Sequence, residues 1–186
     1  MNISREEALG LLDAKLPTPQ LKKHSLASEA VMRRLARRLG KDENLWGLSG
    51  LLHDIDYEST KDNMKEHTIT GAGMLREFGF PEEGIRAIQA HNSENTGIMP
   101  ESDFELLLSA GESITGLIIA TALVYPDKKI ASVKPKSITK RMKEHAFARN
   151  VSRESIRLCE KAGLPLDEFI ELCLEAMRGV EIEVMP

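Results

Sequence analysis

The stretch LWGLSGLLHDID, residues 45–56, decides how the rest of the chain is read. Leu45, Leu48, Leu51 and Leu52 recur at helical spacing, so the segment predicts a buried helix. That helix runs straight into His53, Asp54 and Asp56, groups that are costly to bury unpaired. Taken alone, such an ending reads as a helix reaching water. The positions of the other histidines change that reading.

Upstream, Ser4-Arg-Glu-Glu is a capping-box pattern, and it opens a helix over Ser4–Leu16 that stops at Pro17 and Pro19. A second helix is expected from Gln20 to Leu39, closed by Gly40, with His24, Ala27, Val31 and Leu35 on its inward face. Asp42 is the expected N-cap of the helix that delivers His53. Downstream, residues 57–65 are polar and read as a loop. The next helix aligns His67, Gly71, Met74, Leu75 and Phe78 on one face, up to the break at Gly79-Phe80-Pro81. A helix from Pro81 puts Gly84, Ile88 and His91 on one side, and residues 92–100 read as a second loop. The longest pattern runs from Glu101 to Tyr125, with Leu108, Glu112, Thr115, Ile119 and Leu123 in register. Helices over 152–162 and 165–177 complete an all-α bundle. The chain reads as one domain over 1–186, with a motif-bearing core at about 20–125 and a C-terminal helical extension at about 135–178.

Composition agrees with a helical protein: 41% hydrophobic but only 4% aromatic. A net charge of −4 gives no global attraction to nucleic acid or acidic membrane and argues against both as partners. No apolar run approaches the roughly 20 residues that span a bilayer. The N-terminus MNISREEALG lacks a signal-peptide layout. Only Cys159 and Cys173 are present, both in helical patterns, which favours a reducing compartment; the expected location is cytoplasmic.

Four of the five histidines, His24, His53, His67 and His91, fall on or at the end of apolar helix faces, and Glu112 does the same. Each alone reads as a hydrogen-bonded core residue. Together they would each need a buried partner, and one bound metal satisfies all of them, because metals take neutral imidazole and ionised carboxylate. Without a cysteine nearby a thiolate zinc site is excluded, and imidazole donors argue against calcium. The set suits Mn, Fe, Co, Ni or Zn, or Mg completed by water, as one ion or two.

The early His24 in KKHSLASEAV, the doublet His53-Asp54, and His67 in EHTITGAGML with His91 in AIQAHNSE resemble the HD-domain metal-dependent phosphohydrolases, in particular their HDIG-type members. The resemblance covers roughly residues 20 to 125. It implies an HD-type helical bundle and a hydrolase of nucleotides or other phosphate esters. It further implies His24, His53, Asp54 and a distal acid around one ion, with His67 and His91 holding a second bridged by Asp54. The family's distal acid is Asp; here Ser109-Ala-Gly-Glu-Ser-Ile-Thr-Gly116 places Glu112 there, and Gly111 is the alternative register. That departure supports a rival expectation, a catalytically idle HD domain that binds a nucleotide or protein. Asp54 and Asp56 are the expected catalytic acids, Asp56 by orienting the attacking water or, equally, as a surface residue ending the helix. Lys61, Lys65, Lys128 and Lys129 are candidate phosphate contacts, each of which also reads as a solvated lysine. The basic stretch 134–143 lacks the interleaved aromatics of a nucleic-acid surface. A small phosphorylated partner is expected, and a homo-oligomer is open.

Overall fold

Helix starts follow the capping chemistry written in the chain. In the computed structural model, which describes residues 3–185, α1 (Arg5–Lys15) begins at Ser4. The Ser4 hydroxyl accepts from the Glu7 N–H while the Glu7 carboxylate accepts from the Ser4 N–H. That reciprocal pair satisfies two backbone donors that a helix start leaves open. α2 (Pro19–Leu39) ends at Gly40, whose φ of 64° is the left-handed conformation glycine adopts without penalty. Asp42 caps α3 (Glu43–Leu52) by accepting from the N–H groups of Asn44 and Leu45.

The chain continues through α4 (Tyr57–Thr60), α5 (Ile69–Glu77), α6 (Glu82–His91), α7 (Ser93–Thr96) and α8 (Asp103–Leu123). After a short 3-10 turn at Ile130–Ser132 come α9 (Pro135–Met142), α10 (Arg153–Lys161), α11 (Leu166–Gly179) and α12 (Glu181–Val184). No strand occurs among the described residues. The expected all-α bundle is therefore what the chain builds. The loops expected at 57–65 and 92–100 each hold a helical turn, α4 and α7. The helix expected to carry His67 starts later, at Ile69, and Phe78 on its supposed inner face is 44% exposed.

α8 is the axis of the bundle, with α2, α6, α10 and α11 packed on it. Every residue from Phe104 to Gly111 is buried, as expected for a helix apolar on all sides. Its 21 residues, with a mean hydropathy of 1.7 over the central window, are by length and composition enough to cross a membrane. This corrects the expectation that no apolar run is long enough. Its scattered Ser, Thr, Gly and Glu hide the run from the eye, and 67% of the window is buried inside the bundle.

α2 and α3 pack at contact distance because α3 has Gly50 there. A Cβ at that position would lie 2.6 Å from the Ser28 carbonyl oxygen. Trp46 of α3 stacks on Phe104 of α8, with ring centroids 4.5 Å apart and planes 2° from parallel. These contacts fix the C-terminal end of α3 against α2 and α8, where the histidines emerge.

The irregular segment between α9 and α10 is held by Arg153. Its buried guanidinium donates to the carbonyls of Ala148 and Val151, both at 2.8 Å, and also to Phe147. Ala148 sits in the left-handed region, φ 45°, which costs a residue with a Cβ about 1–2 kcal/mol. The Arg153 clamp offsets that strain.

Candidate metal centre

Three helix ends, one turn and one helix face meet at Asp54. His24 comes from the second turn of α2, His53 caps α3, His91 is the last residue of α6, and Glu112 lies mid-way along α8. His67 comes from the turn before α5. The next residue, Thr68, holds the left-handed φ of 71°, an outlier for a β-branched residue. Such strain persists where its surroundings over-determine it. Here the Asp56 carboxylate accepts from the Thr68 N–H at 2.8 Å and the Gly71 N–H at 2.7 Å.

The tautomers follow from the outer hydrogen bonds. His53 Nδ1 donates to the Gly50 carbonyl at 2.8 Å and His91 Nδ1 to the Ile88 carbonyl at 2.6 Å. His67 Nδ1 donates to Asp56 at 2.8 Å. The Thr115 hydroxyl donates to the Glu112 carbonyl, so it accepts from His24 Nδ1 at 3.0 Å. All four rings spend their N–H outward and turn a bare Nε2 lone pair inward. His24 and His53 Nε2 face each other at 3.1 Å, an arrangement of two lone pairs that repels unless a cation sits beside them.

Asp54 divides the rings into two pairs. Its Oδ2 faces His53 Nε2 at 3.5 Å and His24 Nε2 at 3.9 Å. Its Oδ1 faces His67 Nε2 at 3.3 Å and His91 Nε2 at 3.4 Å. Glu112 Oε2 lies 3.7 Å from His24 Nε2 on the first side. An ion about 2.0–2.1 Å from each of its ligands spaces neighbouring ones roughly 2.9–3.4 Å apart. The observed spacings match that or lie a little wider. Two donor groups that could hold a metal result: His24, His53 and Glu112, and His53, Asp54 and His91.

The electrostatics suit a cation. Burial drives the His53 ring down to about 3, against the pull of Asp54, so it stays neutral. Burial alone would raise the Asp54 carboxyl, but the surrounding imidazoles, His53 first, hold it well below the usual carboxylate range. Burial pushes Glu112 upward, opposed by His24 and His91. Burial would lower His67, yet its contacts with Asp54 and Asp56 raise it to about 9, so the two carboxylates make this place favourable for positive charge.

The structure brings His24, His53, Asp54, His67, His91 and Glu112 together. Of the two candidate positions for the distal acid, a Cβ on Gly111 would point at Val31 and Met32 of α2, whereas Glu112 points at His24. Asp56 is not the surface residue of one of its two expected readings: it is 1% exposed and its carboxylate accepts from three protein donors, His67 Nδ1 and the N–H groups of Thr68 and Gly71. Its part is to position His67. The lysines are also placed elsewhere. Lys61 is exposed and paired with Glu58 at 3.0 Å, and Lys65 is exposed. Lys128 and Lys129 lie beyond the end of α8, at least eleven residues from Glu112, which is about 16 Å of helix. None of the four lines the cleft beside the metal residues.

Sequence reasoning missed Thr115 and Asn92 as members of the site. Asn92 Nδ2 donates to the carbonyls of Met64 and His67, at 2.8 and 2.9 Å, and so ties the His67 turn to the end of α6. Its position directly after His91 was the available signal. Such outer partners fix ring orientation and tautomer in metal sites.

Comparison with known proteins agrees with this geometry. The HD domain family model matches residues 21–122. Relatives include Ribonuclease Y of Oleidesulfovibrio alaskensis, 31% identical over 50% of this chain and 17% of that protein. Ribonuclease Y of Sulfurovum sp. is 28% identical over 87% of this chain and 32% of that protein, and Ribonuclease Y of Aquifex aeolicus is 35% identical over 42% and 14%. The chain thus spans less than a third of the length of these relatives. No solved structure matches. With more than half its length matched, and the His and Asp residues of the motif gathered around one carboxylate, the chain belongs to the HD domain family.

Proposed function

We propose that the chain is a metal-dependent phosphohydrolase that cleaves a nucleotide or another small phosphate ester. The observation that carries this reading is Asp54, whose two oxygens each face a pair of bare imidazole nitrogens. Bound divalent ions supply Lewis-acid charge that acidifies a coordinated water and neutralises phosphoryl oxygens. His24, His53, Asp54 and Glu112 would hold one ion, and Asp54, His67 and His91 a second. The surrounding imidazoles hold the Asp54 carboxyl well below the usual carboxylate range and burial holds the His53 ring down, which disfavours both as acceptors of the proton that water would lose. Hydrolysis adds water across the P–O ester bond and releases an alcohol and a phosphate.

Glu112 meets the position of the family Asp by reaching His24, which weighs against the idle-domain reading. A second reading, hydrolysis of RNA, is favoured by the similarity to proteins named Ribonuclease Y. The test is a hydrolysis panel with Mn-loaded protein: para-nitrophenyl phosphate, nucleoside phosphates and a short RNA. Turnover of the small esters supports the first reading, turnover of RNA alone the second. No turnover by metal-loaded protein rejects both.

A further inference from the structure

Beside His24, His91 and Glu112 opens a cleft of about 310 Å3, near the small end of the roughly 300–1,000 Å3 found for ligand sites. Among the described residues it is lined by no lysine or arginine; its carboxylates are Glu112 and Glu94. A second phosphate seated there would face acid with no cation opposite. A neutral group bearing hydroxyls would meet amides and hydroxyls that both donate and accept.

The outer wall of that cleft is Asn150, Val151, Ser152, Ser155 and Leu158, all beyond the matched residues 21–122. It is a built wall. Arg153 clamps the carbonyls of Ala148 and Val151, and Ala148 is kept in a left-handed conformation. Gly116 of α8 lets Val151 approach: a Cβ there would lie 3.1 Å from Val151 Cγ2. Ser152 caps α10 and is bonded to the Ser155 hydroxyl at 2.9 Å. Asn150 is exposed and lines the cleft, its amide without a protein partner among the described residues.

We propose that residues 150–158 form the specificity wall of the metal centre, with Asn150 and Ser155 hydrogen-bonding the neutral, hydroxyl-bearing alcohol portion of a phosphate monoester. Both are positioning residues, and the inference rests on the phosphohydrolase reading above. The test compares Mn-loaded wild type, Asn150→Ala and Ser155→Ala on ribose 5-phosphate and on para-nitrophenyl phosphate, with metal content measured alongside. The expected result is that Asn150→Ala lowers kcat/KM for ribose 5-phosphate about tenfold relative to para-nitrophenyl phosphate, chiefly through KM, as one lost hydrogen bond predicts. Ser155→Ala shifts the same ratio in the same direction, and metal content stays at the wild-type level. An unchanged substrate ratio in both variants, with wild type active, overturns the wall while leaving the phosphohydrolase reading intact. Loss of metal in the variants overturns it too, since the residues would then serve the centre itself. A metal-loaded wild type that hydrolyses neither ester overturns the phosphohydrolase reading and the wall with it.

Discussion

Replacing Asp56 by Asn tests how the His67 turn is held. The native carboxylate accepts from His67 Nδ1, Thr68 N–H and Gly71 N–H, all between 2.7 and 2.8 Å and away from water. Asn keeps one acceptor oxygen and presents an NH2 on the other side. Either His67 Nδ1 or the two backbone donors then face a donor. Leaving buried donors unpaired costs about 1–3 kcal/mol, and the left-handed Thr68 loses its anchor, so the metal-free protein should lose about 2–4 kcal/mol. With the amide turned towards His67, the ring moves its proton from Nδ1 to Nε2, the nitrogen that faces Asp54. Metal affinity on that side should fall about 10–100-fold, as for other outer-partner losses. Urea denaturation of metal-free protein gives the first quantity and equilibrium dialysis against Mn the second. Stability within about 0.5 kcal/mol of wild type, the usual range for surface changes, together with undiminished metal uptake, would refute the positioning role.

Other outcomes follow from the same geometry. The His67→Ala, His91→Ala double variant should fall from about two ions to about one, because its remaining donors form the single group on the Oδ2 side of Asp54; metal analysis reads the count, and an unchanged count contradicts the second site. Removing metal with a chelator should abolish hydrolysis yet leave helical content by circular dichroism intact, since the apolar stripes and not the site carry the core; adding metal back at 100 times its dissociation constant should stabilise by about 2.7 kcal/mol. Gly50→Ala should destabilise strongly, because its Cβ would meet backbone of α2 that cannot give way, whereas Gly10→Ala, with open space around it, should not; thermal melts compare the two. Cys159, pushed by burial up to about 12, and Cys173, pushed well above the usual thiol range, should resist alkylation until the chain unfolds, which timed labelling with and without urea checks.

Most helices were legible because their ends are written locally. Ser4 with Glu7, Asp42 and Gly40 act within three or four residues of themselves, so no tertiary knowledge is needed to place them. The histidines and acids that gather at Asp54 were legible for a different reason: polar groups on apolar stripes are costly, and one shared partner explains them all. His67 was put on a helix it only precedes, because its position depends on a strained Thr68 anchored by Asp56, eleven residues earlier in the chain. The surface reading of Asp56 failed because sequence shows a carboxylate but not the three donors that close around it. Lys61, Lys65, Lys128 and Lys129 are exposed, which agrees with their reading as solvated lysines, since charge in a loop shows nothing of where that loop lies. The wall at 150–158 was legible only as the start of a helix, because Arg153 shapes the segment before it through carbonyls that no pattern reveals.

Metal analysis of wild type and Asp54→Ala after equilibrium dialysis against Mn tests the centre most directly. If Asp54 joins two pairs of bare imidazole nitrogens into one site, wild type should hold about two ions per chain and the variant well under one, with its helices intact. A folded Asp54→Ala protein that keeps the wild-type metal content would contradict the account.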